Sequence, residues 1–206
     1  MTSQIADDRL YAPATARNRD HIRDVLIRVL PPTGLVLEVA SGSGEHTMHL
    51  AAALPHLSFQ PSDPTARARA SISAWIAACG LGNIRPPLDL DASAADWPIN
   101  AAQAMLCINM IHISPWPATT GLLRHAARLL PPDAPLYLYG PYRRNGAHTA
   151  ASNAAFDADL RGRDPAWGVR DLEAVAALAA EAGFTAPEIV EMPANNLSVI
   201  FRRVAG

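Results

Sequence analysis

The sequence contains no lysine, and all seventeen of its basic residues are arginine. That excludes a lysine Schiff base and the phosphate-gripping lysine of a P-loop. Cysteine is nearly absent too: Cys79 and Cys107 stand far apart, which builds neither a disulfide framework nor a cysteine zinc site. No apolar run is long enough to span a bilayer. The opening residues, MTSQIADDRL, are acidic and lack the apolar stretch of a signal peptide. A cytoplasmic protein without membrane contact is expected. The formal charge of −2 leaves no basic footprint for nucleic acid.

What is present is a chain of 206 residues, half of them hydrophobic, enough for one core and a single domain over residues 1–206. It is organised around Leu35 to Ala51, LVLEVASGSGEHTMHLA. An aliphatic strand, Leu35 to Val39, breaks into small residues, Ala40 to Gly44, and helical spacing follows. Such a junction gathers bare backbone N–H groups and the positive end of a helix dipole at one place.

Ahead of it, Ile22, Val25, Leu26 and Val29 share a helical face, giving an N-terminal helix or lid within residues 1–30. Behind it, Leu57 to Gln60 reads as a strand. Pro64 opens a helix whose buried stripe is Ile72, Trp75, Ile76 and Cys79. A third strand is expected near Ile84 to Leu90, with Pro86-Pro87 arguing for an edge or kink. Ala104 to Ile108 reads as a buried strand, Leu122 to Leu130 as a helix and Leu136 to Tyr139 as a strand. Residues 140–171 show no clear period and read as an inserted loop over the site. A helix over Leu172 to Ala182 precedes a hairpin of Glu188 to Met192 and Leu197 to Arg203. This alternation predicts an α/β architecture: a mostly parallel seven-stranded sheet, helices on both faces and a C-terminal antiparallel hairpin.

Ligands in such sheets bind at the carboxyl ends of the strands, so the residues there are the candidates. Asp63 lies about twenty residues past the glycine turn, where an acid accepts ribose hydroxyls; it also suits a helix cap. In place of the third glycine of G-x-G-x-x-G stands Thr47. Glu38, just before the turn, repels a pyrophosphate but tolerates an amine and a sulfonium. Together these favour S-adenosylmethionine over a nicotinamide dinucleotide.

LEVASGSGEH resembles the first motif of class I S-adenosylmethionine-dependent methyltransferases. Together with NRDHI, FQPSDP, SISAW, INMIHISPW, LYGPY, HTAASNAAFDADLRGRDPAWGVRD and MPANN, it resembles the methyltransferase-like family catalogued as domain of unknown function 938. The resemblance runs from about Arg17 to Arg203. It departs mildly from the pattern, with Ser43 where threonine is common and His46 where glutamine is common. It implies a Rossmann-like class I methyltransferase fold with S-adenosylmethionine as cofactor, and supplies no acceptor. On this reading Glu38, Ala40, Ser41, Gly42 and Gly44 hold the methionine part, Asp63 the ribose and Asp91 the adenine edge. Asn109 and Met110 flank the methyl group, and Arg17 and Asn18 fold over the carboxylate.

Methyl transfer starts from an activated donor, so the protein aligns the nucleophile and needs a base only if a proton must leave. The catalytic candidates are His112 and Asn109 after the fourth strand, His148 in the polar stretch and Tyr142. Each histidine also has a structural reading, as a strand-end or solvated loop residue. Asn109-Met110-Ile111-His112 is not the Asn-Pro-Pro-aromatic motif of amine and base methylases, which points to a small-molecule acceptor. Trp116, Tyr139, Tyr142, Phe156 and Trp167 supply either a substrate wall or core. Asn195-Asn196 falls at the same sheet edge. His46 and His49 lack a third ligand, so no metal is expected. The competing readings are a non-catalytic S-adenosylmethionine-binding sensor or interaction module and a nicotinamide oxidoreductase. No oligomeric state is specified by the sequence.

Overall fold

Alternating aliphatic residues make the strands two-sided, and the two sides take different helices. A computed structural model describes residues 8–205. Most of the opening MTSQIADDRL stretch, Met1 to Asp7, lies outside the described residues. The strands are β1 (Gly34–Val39), β2 (Leu57–Pro61), β3 (Ala104–Ile108), β4 (Pro135–Pro141), the two-residue β5 (Arg143–Arg144) and β6 (Ala147–His148), β7 (Glu188–Met192) and β8 (Asn196–Arg202). The helices are α1 (Pro13–Val29), α2 (Glu45–Ala53), α3 (Ala66–Cys79), α4 (Trp116–Leu129), α5 (Ala151–Arg163) and α6 (Leu172–Glu181).

The main sheet runs β2-β1-β3-β4-β8-β7. Its first four strands are parallel, and β8 lies antiparallel to both β4 and β7. Leu37 and Val39 of β1 join Met105, Cys107, Leu136, Leu138, Val199 and Phe201 in one core, covered by α4 and α6. Val36 faces the other way, with Leu106, Ile108, Tyr137 and Ile200, under α1 and α2; Trp75, Ile76 and Cys79 of α3 pack against that layer. The period of two thus sorts the helices onto both faces. No helix among the described residues is long and apolar enough to cross a membrane.

Two expectations are corrected. The sheet has six strands, not seven. The expected strand at 84–90 touches β2 only through isolated bridges, Phe59 to Ile84 and Ser62 to Leu88. Arg85 N–H reaches the Phe59 carbonyl at 2.8 Å and Leu88 N–H reaches Pro61 at 3.0 Å; Pro86 and Pro87 between them have no N–H to give, so no ladder forms. The stretch 140–171 is not a loop: it folds as the β5–β6 hairpin and the thirteen-residue α5.

Strand order reverses between β1 and β3. From β1 the chain moves outward to β2, then returns to add β3 and β4 on the other side. The crevice at their carboxyl ends is where an open α/β sheet places its ligand.

Candidate functional site

β1 ends in a run of unusual backbone. Ala40 (φ 58°), Gly42 (φ 57°) and Gly44 (φ 91°) all lie in the left-handed region, which only glycine occupies without strain. This doubles the chain back into α2, whose N-cap, Gly44, provides no side-chain acceptor. Glu45 N–H turns back to the Ser43 hydroxyl at 3.5 Å, and the rest of this first turn, without an N-cap side chain, is the part of a helix that receives a ligand. A side chain at Gly42 would meet nothing within 4 Å, so the main chain there is approachable.

The acidic residues around this turn hold it in shape. Glu38 is 2 % exposed and accepts a hydrogen bond from the Thr47 hydroxyl, tying β1 to α2. Burial raises its pKa to about 7, against the opposing bonds from Thr47 and Ser41. Asp63, at the end of β2, accepts from Gly42 N–H (3.1 Å) with one oxygen and from the Thr65 N–H and hydroxyl (2.9 and 2.8 Å) with the other. Thr65, not Asp63, is the N-cap of α3, and the helix starts at Ala66 rather than at Pro64. An ionised carboxylate accepts about four hydrogen bonds, so Asp63 retains capacity for one more. Ser41 N–H bonds Ser62 O at 2.8 Å, completing the seam between the two strand ends. Asp91 does not join this group. Its carboxylate closes its own turn on Ser93 N–H and hydroxyl at 2.8 and 2.7 Å.

A strap crosses over the turn from the N-terminal side. Ala12 N–H donates to Glu45 at 2.6 Å, Leu10 N–H to Ser71 at 2.8 Å, and the Trp75 indole to Leu10 O at 3.1 Å. From this strap α1 carries Arg17 and Asn18 to the sheet edge. The His46 ring, pushed down to about 4 by burial, is neutral, and its Nε2 lies 2.9 Å from Asn18 Oδ1. The Asn18 amide in turn bonds the Tyr139 hydroxyl, and burial raises the pKa of that tyrosine. With Nε2–H of His46 donating to Asn18 and Asn18 donating to Tyr139, the tyrosine hydrogen is left to point onward.

Tyr139 lines a cavity of about 780 Å³ at the ends of β3 and β4. Arg17 and Asn18 form one wall; Asn109 and Ile113, from the turn after β3, form another. Tyr139 and Pro141 come from β4, and Ser152, Asn153, Phe156 and Arg163 from one face of α5. Residues 193–196 close the rim, where Ala194 (φ 57°) and Asn195 (φ 58°) are consecutive left-handed non-glycines. Asn153 pins that rim by donating to Asn195 O at 3.0 Å. Among the described residues, no aspartate, glutamate or histidine lines the cavity.

The four catalytic candidates therefore separate. Asn109, itself left-handed (φ 63°), opens on the cavity beside Arg17 and Asn18. Met110 is buried behind it, its sulfur 3.2 Å from the Ser114 hydroxyl. His112 is wholly buried, and its Nδ1 accepts from Arg170 N–H at 3.2 Å. Its proton thus sits on Nε2, which lacks a hydrogen-bond partner among the described residues. Burial drives its pKa to about 3. Tyr142 is wholly buried against it, ring edge to ring face at 4.9 Å, with its hydroxyl pKa pushed up by burial. His148, on β6, lies 3.5 Å from Asp157 of α5. These three brace the wall and do not form its surface.

The braces explain the long signature segment. Asp157 accepts from Val169 N–H (2.7 Å) and Arg161 Nε (3.0 Å). Gly168 N–H donates to His112 O at 2.9 Å, and Arg170 reaches Ile111 O and Ser114 O at 2.8 and 2.6 Å. A Cβ on Gly168 would fall 2.7 Å from both Asp157 and Arg161. Residues 148–170 therefore stitch α5 onto the turn that presents Asn109. His49 pairs with Asp20 at 3.0 Å, so it and His46 serve separate contacts. Sequence reasoning missed Arg163 and Ile113 as lining residues; the helical spacing of Ser152, Phe156 and Arg163 was the available signal.

The family model described as "Protein of unknown function (DUF938)" matches residues 9–203. Among solved structures, a putative O-methyltransferase from Nostoc punctiforme is similar with TM-score 0.80 and 16% identity, over 93% of this chain and 57% of its own. An O-methyltransferase family protein from Burkholderia thailandensis gives 0.75 and 19%, over 93% and 61%. Human N-acetylserotonin methyltransferase, solved in complex with SAM, gives 0.72 and 13%, over 93% and 53%. The chain spans little more than half the length of these proteins. They share its fold, a Rossmann-like methyltransferase α/β sheet.

Proposed function

The chain belongs to the DUF938 family of proteins of unknown function, and from that premise we propose that it is an S-adenosylmethionine-dependent methyltransferase acting on a small molecule. The observation that carries this reading is a juxtaposition. The uncapped glycine turn and Asn109 leave adjacent strands at one sheet edge, with Val39 opposite Cys107 in register, and the 780 Å³ cavity opens beside Asn109. A nucleotide-like donor and a small acceptor would meet there.

The turn fits such a cofactor. The first turn of α2 and the open approach at Gly42 would receive the methionine part, with Ala40, Ser41 and Gly44 shaping the approach. The last acceptor position of Asp63 would take a ribose hydroxyl. Arg17 would reach the carboxylate, and Glu38 would favour the amine from beneath. Asp91 gives one carboxylate oxygen to Ser93 and would offer the other to the adenine edge. The cofactor supplies a methyl group already activated as a sulfonium.

The protein's share of the chemistry is then placement. Asn109 orients the acceptor, and α5 and the 193–196 rim keep water out. His112 does not serve as the base in this geometry, because the nitrogen not engaged with backbone carries hydrogen. With no carboxylate or imidazole on the cavity wall, the attacking atom is one that needs no protein base. That same lack of a base supports a second reading, a non-catalytic S-adenosylmethionine-binding module. A cytoplasmic setting accords with two free cysteines.

Calorimetry with S-adenosylhomocysteine and, separately, NADH tests the cofactor. Binding of NADH alone overturns the proposal. Turnover of methyl-labelled donor with a metabolite extract separates enzyme from module, since a module gives no labelled product.

A further inference from the structure

The fifteen lining residues of the cavity include two arginines and no acid. Most of its amide donors are already committed. Asn153 donates to Thr149 and Asn195 O (3.1 and 3.0 Å), Asn195 to Ser152 (3.2 Å), and Asn196 to Pro193 O and Ala194 O (3.1 and 3.3 Å). Asn18 is held between His46 and Tyr139. What remains for a ligand is the pair of cationic donors, the guanidinium groups of Arg17 and Arg163, together with the Asn109 amide, the Tyr139 hydroxyl and the amide oxygens of Asn153, Asn195 and Asn196. The rest of the wall, including Ile113, Phe156 and Pro141, is apolar.

We propose that the acceptor is a small organic acid, its anionic group bound by Arg163 and its apolar body resting on the wall that includes Phe156. The proposal rests on the methyltransferase reading for the word acceptor, though not for the binding itself.

The two arginines divide by position. Arg17 adjoins Asn18, which His46 of α2 ties to the cofactor turn. Arg163 ends α5 on the far side of the chain's signature segment, stacked on Trp167 with its guanidinium carbon 5.1 Å from the ring. Stacking fixes the plane of a guanidinium and leaves its edge donors free. Its nearest carboxylate, Asp159, is 3.8 Å away, with side-chain exposures of 58% and 65%. So exposed a pair contributes little and yields to a ligand. An acid that arrives ionised also answers the absence of a base on the wall.

The test is calorimetry on protein saturated with S-adenosylhomocysteine, using 4-hydroxybenzoate, its neutral isostere 4-hydroxybenzamide, and tyramine as probes. The acid is expected to bind about tenfold or more tighter than the amide, the scale of a charge-assisted hydrogen bond. Arg163→Gln should lower the acid to the level of the amide and leave the affinity for amide and S-adenosylhomocysteine unchanged. Arg163→Lys should recover part of the preference. Equal or tighter binding of amide or tyramine overturns the proposal, as does a preference that survives Arg163→Gln or no binding by any probe. Failure of the methyltransferase reading is seen separately, as absent S-adenosylhomocysteine binding. The acid–amide comparison then proceeds without that ligand and keeps its meaning.

Discussion

Replacing Glu38 by glutamine should stabilise the protein at neutral pH and above, a gain that fades as pH falls toward the ordinary glutamate value. Glu38 is wholly buried at the end of β1, and its pKa stands at about 7 in the fold against an ordinary 4.5. That gap corresponds to about 3 kcal/mol of unfavourable ionisation. The unfolded chain releases this proton near 4.5 and the folded protein holds it until about 7, so between those values the folded state binds more protons. Stability from this group is therefore complete below the lower value and lost as pH rises through the upper one. Glutamine cannot ionise, and its side-chain carbonyl still accepts from the Thr47 hydroxyl. Urea unfolding of both proteins across this range gives the comparison. His46 and His112, whose pKa values burial lowers to about 4 and about 3, impose the opposite trend, with stability gained as pH rises toward the unfolded histidine value of about 6.5. Both proteins carry them, so they cancel in the difference. The stability of Glu38→Gln minus that of the parent should climb by about 3 kcal/mol as pH rises from about 4.5 to about 7 and level off above that. A flat or falling difference would refute the reasoning. Bound S-adenosylmethionine, with its positive amine over Glu38, should flatten the parent's decline.

Asp63→Ala should weaken S-adenosylhomocysteine by about 1–3 kcal/mol through the lost ribose contact; unchanged affinity by calorimetry reduces Asp63 to a brace for Gly42 and Thr65. Gly140→Ala places a Cβ 2.5 Å from His112 Nε2 and should cost about 1–3 kcal/mol by overpacking, read as a lower urea midpoint. Asp157→Ala strands the buried Val169 N–H at a cost of about 1–3 kcal/mol. Hydrogen exchange should quicken over 168–170, and unaltered protection there counts against the stitching role. The pH–rate profile of methyl transfer should show no limb from His112 near an ordinary histidine pKa of about 6.5; a limb that vanishes in His112→Asn would restore it as a base.

The glycine-turn side of the molecule was legible because its information is local. Strand, small-residue turn and helix follow within Leu35 to Ala51, and backbone geometry there depends on residue size alone. The cavity draws its walls from residues as far apart as Arg17, Asn109, Phe156 and Asn196, which only the topology brings together. α5 escaped notice because its inward positions include Asn153 and Asp157, both buried and polar, while Phe156 on its cavity face is 37% exposed. Hydropathy therefore shows no helical period. His112 and Tyr142 were placed correctly in the chain, after β3 and at the end of β4, yet burial decides their role and leaves no mark on sequence. Pro86-Pro87 did carry its warning, since two missing N–H groups are what cost the sheet its seventh strand.

The relay from His46 through Asn18 to Tyr139 restricts what substitution can do at position 46. A residue there must donate a hydrogen bond, or the Asn18 amide is free to turn over and present Tyr139 with an oxygen. The tyrosine hydrogen would then swing back onto Asn18, and the cavity would meet a lone pair where it had met a donor. Glutamine at this position keeps a donor, whereas glutamate would invert three groups at once. A change of one charge beside the cofactor turn could thus alter which molecules the far cavity accepts without touching its wall.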